Sequence, residues 1–223
     1  MGLPVPQVLR PVVRGLYRAG VVVVEGSAFF RKFFWIEPVL KSVCHSVGGG
    51  LRVDCLPYMR GKGQLSLGEK VYLSGRSCFY FMGGMPDSPE IRVGDGTFIG
   101  NGCTLSAARR IVIGADCLIS TSVRIHDNDG HPLDPDRRLR KEPIRQDEAA
   151  AVTIGNNVWV GAQAMILKGV TIGDHAVIAA GAVVTHDVPS RAVAAGNPAR
   201  VVKMLGKDAA ETAATTAESA KHL

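Results

Sequence analysis

Aromatic residues are scarce in this 223-residue chain: Phe, Trp and Tyr make up 6% of it, while Gly supplies 26 residues. A core built around large rings is therefore excluded, and small and branched aliphatics must fill it. A disulfide framework is also excluded. The five cysteines (Cys44, Cys55, Cys78, Cys103 and Cys117) are odd in number and form no CxxC pair, which reads as reduced, intracellular thiols. No apolar run is long enough to cross a bilayer. The most apolar stretch, 19–30, is interrupted by Glu25 and preceded by Arg10, Arg14 and Arg18. No small-residue cleavage pattern follows it, and Pro6 stands where a myristoylation signal needs Ser or Thr. A cytoplasmic protein is expected, peripheral at most to the inner face of the membrane. With 46% hydrophobic and 21% charged residues, wholesale disorder is excluded. The net charge of +6 suits an anionic ligand or surface.

What the chain does have is a period of six. From Ile154, six-residue steps land on Val160, Ile166, Ile172, Ile178 and Val184. Four residues beyond the steps from Ile154 onward stand Val158, Ala164, Val170, Ala176, Ala182 and Val188. The rhythm recurs in Val93, Ile99, Leu105, in Ile113, Ile119, Ile125, and more weakly from Leu67 and Leu73. Helices need a period near 3.6 and lone strands a period of 2, so neither explains it. Short strands joined by regular corners do. Three hexads then close a triangular coil, and successive coils stack as parallel strands about 4.8 Å apart. Ile154 is expected beneath Ile172, and Val160 beneath Ile178. Cys103 and Cys117 occupy the small inward position, where packing explains them better than redox chemistry.

The repeat resembles that of the hexapeptide-repeat acyltransferases over roughly residues 65–205, most strongly from Val152 to Lys203. Trp159 in NNVWVG and the AAGNPAR segment, Ala194–Arg200, resemble the branch that holds galactoside and maltose acetyltransferases and surface-polysaccharide O-acetyltransferases. The resemblance implies an all-β solenoid, a left-handed parallel β-helix, over residues 65–190. A helical capping extension would occupy 1–64, and a carboxy-terminal segment with a helical or disordered tail 191–223. It also implies transfer of an acetyl group from acetyl-CoA to a sugar hydroxyl, in a homotrimer with active sites between subunits.

The register breaks between Ile125 and Ile154, where 126–153 is polar and carries many charges. A long loop inside a regular solenoid is usually functional. His126 and His131 lie here. An alcohol attacks a thioester only as a base removes its proton, and a positioned imidazole accelerates that step roughly 100- to 10,000-fold. Gly130-His131-Pro132 resembles the family's catalytic segment, so His131 is expected as the base and His126 as a wall of the acceptor site. Asp129, Asp134 or a backbone carbonyl would orient the imidazole. From the resemblance, the Ala162 N–H would meet the oxyanion. Trp159, Ala162, Ala180 and Thr185 would line the CoA arm, with Arg200 and Lys203 at its phosphates. Asn101 is one position from where the sugar acetyltransferases hold their acceptor. The basic cluster Arg137, Arg138, Arg140, Lys141 and Arg145 reads as a solvated loop face.

Gln7–Val24 is expected to be helical, with a basic stripe at Arg10, Arg14 and Arg18 and an aromatic cluster after it. It would cap the prism, contact anionic lipid, or both. Nucleic-acid binding is not expected, because no aromatic platform accompanies the charge. Two rival readings remain. The first is a metal-dependent hydratase of the γ-carbonic-anhydrase type, which would use His126 and His131 but lacks a third imidazole in the upstream coils. The second is a non-catalytic scaffold. No metal is expected.

Overall fold

A computed structural model describes residues 7–82 and 88–206. The expectation of a frayed or disordered tail falls outside the described residues. The architecture is a left-handed parallel β-helix. Its three faces are sheets of six, eight and six strands, and each coil contributes one short strand to each face. The expected register is observed: Ile154 pairs with Ile172 and Val160 with Ile178.

Each face carries an inward ladder at the six-residue step, and the first face adds a second, Leu65, Ile91, Ile111 and Val152. The first face stacks Val47, Leu67, Val93, Ile113, Ile154 and Ile172. The second stacks Val53, Leu73, Ile99, Ile119, Val160 and Ile178, and the third Met59, Phe79, Leu105, Ile125, Ile166 and Val184. Apart from Val47 and Met59, at the open end of the prism, all are buried and form one continuous core. Phe79 is the only ring among these ladder residues, as the composition requires. Burial pushes the Cys103 thiol up to about 11 and raises that of Cys117, as their inward positions anticipated.

The corners are held by Asp and Asn side chains reaching down to the coil below. Asp95 accepts from the Glu69 N–H at 2.8 Å, Asn156 from Ala115 at 2.9 Å, and Asp174 from Asn156 at 2.6 Å. The Glu69, Ala115 and Asn156 amides, two residues past an inward aliphatic, have no stacked carbonyl to bond, so each takes such an acceptor. Several corners also place a non-glycine residue at positive φ, as at Asn157 and His175.

The prism starts at Ser46, inside the segment expected to be an extension. Val47, Val53 and Met59 already keep the six-residue step, hidden by corners of mixed composition. The helix before it also differs from expectation. Helix α1 spans Arg10–Arg31 and runs through a wider turn at Lys32–Ile36 into α2, Glu37–Val43. Ile36 and Leu40, with Cys44 just beyond, are buried on the open end of the prism and belong to its core. This short piece, rather than α1, does the capping.

Candidate functional site

The loop leaves at the edge between the third and first faces, after the strand Arg124–His126. Asp127, fully buried, accepts from the N–H groups of Ala108, Arg109 and Arg110 at 2.6–2.7 Å. Its carbonyl receives the Ala150 N–H at 2.9 Å, so one residue clamps both ends of the loop. Asn128 donates to the Ser106 carbonyl and accepts from the Gly130 N–H at 2.9 Å, forming the turn that presents His131.

Helix α3, Pro135–Leu139, follows. Asp134 caps it by accepting from the Asp136 and Arg137 N–H groups, and the Arg137 amide is the main reason its carboxyl titrates low. Arg137 is not part of a solvated face, as the sequence suggested. It is buried, and its guanidinium binds Glu148, Glu142 and the Pro143 carbonyl at 2.6–3.2 Å. A planar fork of five donors suits these three separate acceptors. Arg140 and Arg137 hold Glu142 below the usual carboxylate range, and Arg137 with the Arg145 amide does so for Glu148. Ile144 and Ala149 bury against Ala108 beneath this knot.

His131 is exposed and has no hydrogen-bond partner among the described residues. It lines a shallow groove of about 430 Å³ with Pro135, Arg138 and Leu139. Neither expected orienter reaches it: Asp134 is the helix cap, and the Asp129 carboxylate pairs with Lys168 Nζ. A carboxylate already held by an ammonium ion gains little by turning to a neutral ring. His126, at the end of its strand, is half-buried; burial, helped by Arg124 and opposed by Asp127, lowers its pKa.

The other expected residues lie elsewhere. Asn101, Ala162 and Ala180 share the edge between the second and third faces, where the Gly181 N–H bonds the Ala162 carbonyl at 2.9 Å. Asn101 accepts from the Arg76 N–H at 2.9 Å, which makes it a corner cap of the coil below rather than a free acceptor-binding group. Above it this capping stops. Thr121, Ala162 and Ala180 stand where caps would, and the N–H of Ala162 has no acceptor among the described residues. Thr185 is on the loop's own edge, bonded to His186 at 2.8 Å. Arg200 and Lys203 are exposed on the strand Ala199–Met204, which extends the second face, and neither has an acidic partner among the described residues. The third face thus separates His131 from Ala162.

Trp159 is exposed on the outer second face and donates to Ser120 Oγ at 3.3 Å. It belongs to an outward strip with Tyr72, Phe98 and Leu118, each paired with the next, which Val177 continues. This strip was not among the features expected from the sequence. Its signal was the residue directly before each inward aliphatic of the second face.

Residues 151–186 match the family described as bacterial transferase hexapeptide (six repeats). That stretch is similar to the hexapeptide-repeat transferases. Galactoside O-acetyltransferase of Escherichia coli is 38% identical over 114 residues, 51% of this chain and 54% of that protein. The Saccharomyces cerevisiae protein YJL218W is 41% identical over 124 residues, 55% and 61% of the two chains. The chain therefore spans roughly three fifths or less of these relatives' length. Its fold is similar to that of a hexapeptide-repeat acetyltransferase from Vibrio cholerae complexed with acetyl-CoA: 26% identity, TM-score 0.55, 77% of this chain and 76% of that one. A galactoside acetyltransferase in complex with coenzyme A gives 28%, 0.53, 77% and 71%. Among the described residues, no three His, Cys, Asp or Glu side chains are grouped to hold a metal ion.

Proposed function

We propose that this chain is an acetyl-CoA-dependent O-acetyltransferase acting on a hydroxyl of a sugar or polysaccharide precursor, as a homotrimer in contact with a membrane through its amino-terminal segment. The observation that carries the reading is His131, an exposed imidazole without a partner among the described residues, on a loop that is otherwise closely cross-linked. In this reading the loop of one copy closes on the second–third edge of the next. His131 then faces Trp159, Ala162 and Ala180, which a single chain keeps a face apart. The outward strip from Tyr72 to Trp159 supports an association of this kind, because such a surface favours burial.

The imidazole takes the proton as the hydroxyl oxygen attacks the thioester carbonyl. The open Ala162 N–H receives the oxyanion of the tetrahedral intermediate. Collapse breaks the carbon–sulfur bond, and the imidazolium returns its proton to the departing CoA sulfur. Arg200 and Lys203 meet the phosphates of CoA. Asp129 acts through Lys168 to fix the loop rather than to orient the ring.

Purified protein incubated with acetyl-CoA and a panel of sugars, nucleotide sugars and lipid-linked glycans should give a product 42 mass units heavier, about one acetyl for one hydrogen per hydroxyl. No product across the panel, with no CoA binding, returns the chain to the scaffold reading. Arg200→Ala should weaken CoA several-fold while leaving dephospho-CoA nearly unchanged. Equal losses would remove the proposed phosphate contact.

A further inference from the structure

Helix α1 is long, regular and left without a covering surface by the prism, which α2 already caps. Its principal contacts are with the turns at its own two ends. Arg10, Arg14 and Arg18, four residues apart, line one side at 3.6 residues per turn. Val12, Leu16, Ala19 and Val23 line the opposite side and are all exposed, Leu16 at 69% and Val23 at 70%. Where α1 runs into the wider turn, Phe34 and Trp35 are also exposed, at 66% and 63%, beside Arg31 and Lys32. Glu25 is the one acidic residue in 7–36, and Glu37 just beyond pairs with Lys32 at 3.7 Å.

No helix among the described residues is long and apolar enough to cross a membrane. An apolar face, exposed rings and a nearly unopposed cationic face together fit a helix lying in a membrane interface. We infer that α1 and the aromatic turn after it dock the protein on an anionic lipid surface, with Val12, Leu16, Val23, Phe34 and Trp35 inserted and the arginines at the headgroups. The charge decides between occupants. A second copy covering the apolar side would leave both arginine rows facing solvent without counter-charges, whereas an anionic lipid surface takes up the apolar side and neutralises the arginines as well. The same chemistry recurs beside α2, where a cavity of about 790 Å³ is lined by Val39, Val43, Leu56 and Tyr58 together with Lys62 and Arg76. Neither cation has an ion-pair partner among the described residues.

This inference specifies the membrane contact named above and does not depend on acetyl transfer. The test is flotation of the full chain with vesicles of phosphatidylcholine alone or with about 30% phosphatidylglycerol, at about 0.1 and 0.5 M salt. Binding is expected only with phosphatidylglycerol, and it should fall at high salt. Charge reversal (R10E/R14E/R18E) and, separately, F34S/W35S should each reduce it at least about tenfold, with circular dichroism unchanged. Equal binding to both vesicles, or to neither, overturns the proposal. So does an oligomer that disperses in L16K/V23K while the unmodified chain ignores vesicles, since α1 would then be a contact between copies.

Discussion

Two edges of the same prism are built from the same hexads and finished differently. On the edge between the first and second faces, Asp95, Asn156 and Asp174 hold corner amides of the coil below, and only Ala115 interrupts the caps between them. On the edge between the second and third faces, capping ends at Asn101, and Thr121, Ala162 and Ala180 take over. Stability alone favours a cap at every corner, because an amide without an acceptor loses a hydrogen bond worth about 1 kcal/mol. Leaving the Ala162 N–H open has a use when another molecule supplies the acceptor. The capped edge holds the fold, and the open edge is where the proposed chemistry needs a donor.

Three changes would break or sharpen this contrast. The largest effect is expected from Ala180→Asp, which puts a carboxylate above Ala162 where other corners carry one. It should reduce acetyl transfer about 100-fold, the scale of losing one oxyanion donor, with no loss of thermal stability. Unchanged turnover would mean that the open amide is incidental. Acid should act next, on the loop alone. Glu142 and Glu148 titrate below their ordinary value of 4.5 because Arg140, Arg137 and the Arg145 amide favour their charged forms. Lowered carboxyl pKa values stabilise the native state above that ordinary value, and the contribution disappears as pH falls through the folded values. Protection of 127–151 from hydrogen exchange should therefore be lost in that acid range while the aliphatic ladders keep theirs. Simultaneous loss everywhere would show that the knot and prism are one cooperative unit. The smallest effect is expected from Asn156→Ala on the capped edge. It should cost about 1 kcal/mol in denaturant unfolding and leave turnover intact. A turnover defect there would erase the distinction between edges.

Much of the prism was legible, because a six-residue period repeats the same burial decision at every face. Its first coil was hidden only because its corners, around Gly48-Gly49-Gly50 and Pro57, interrupt the aliphatic signal. The loop was legible as an interruption but not in its interior. That Arg137 is buried while Arg138 and Arg140 are exposed follows from where α3 sits, and a run of charges does not encode it. Asp129 illustrates the same limit: nearness in sequence suggested His131, and the coil stacked Lys168 beside it instead. Asn101 could have been read correctly, since Asp and Asn recur just after the inward aliphatics at Asp54, Asp95, Asn156 and Asp174, where they cap.

The central claim is that the His131 imidazole activates the acceptor hydroxyl. The direct measurement is turnover of acetyl-CoA with an accepted glycan by His131→Ala beside the unmodified chain, with CoA affinity measured on both. The account predicts a loss of roughly 100- to 10,000-fold in turnover at nearly unchanged CoA affinity and thermal stability. Turnover within about twofold of the unmodified chain would contradict it.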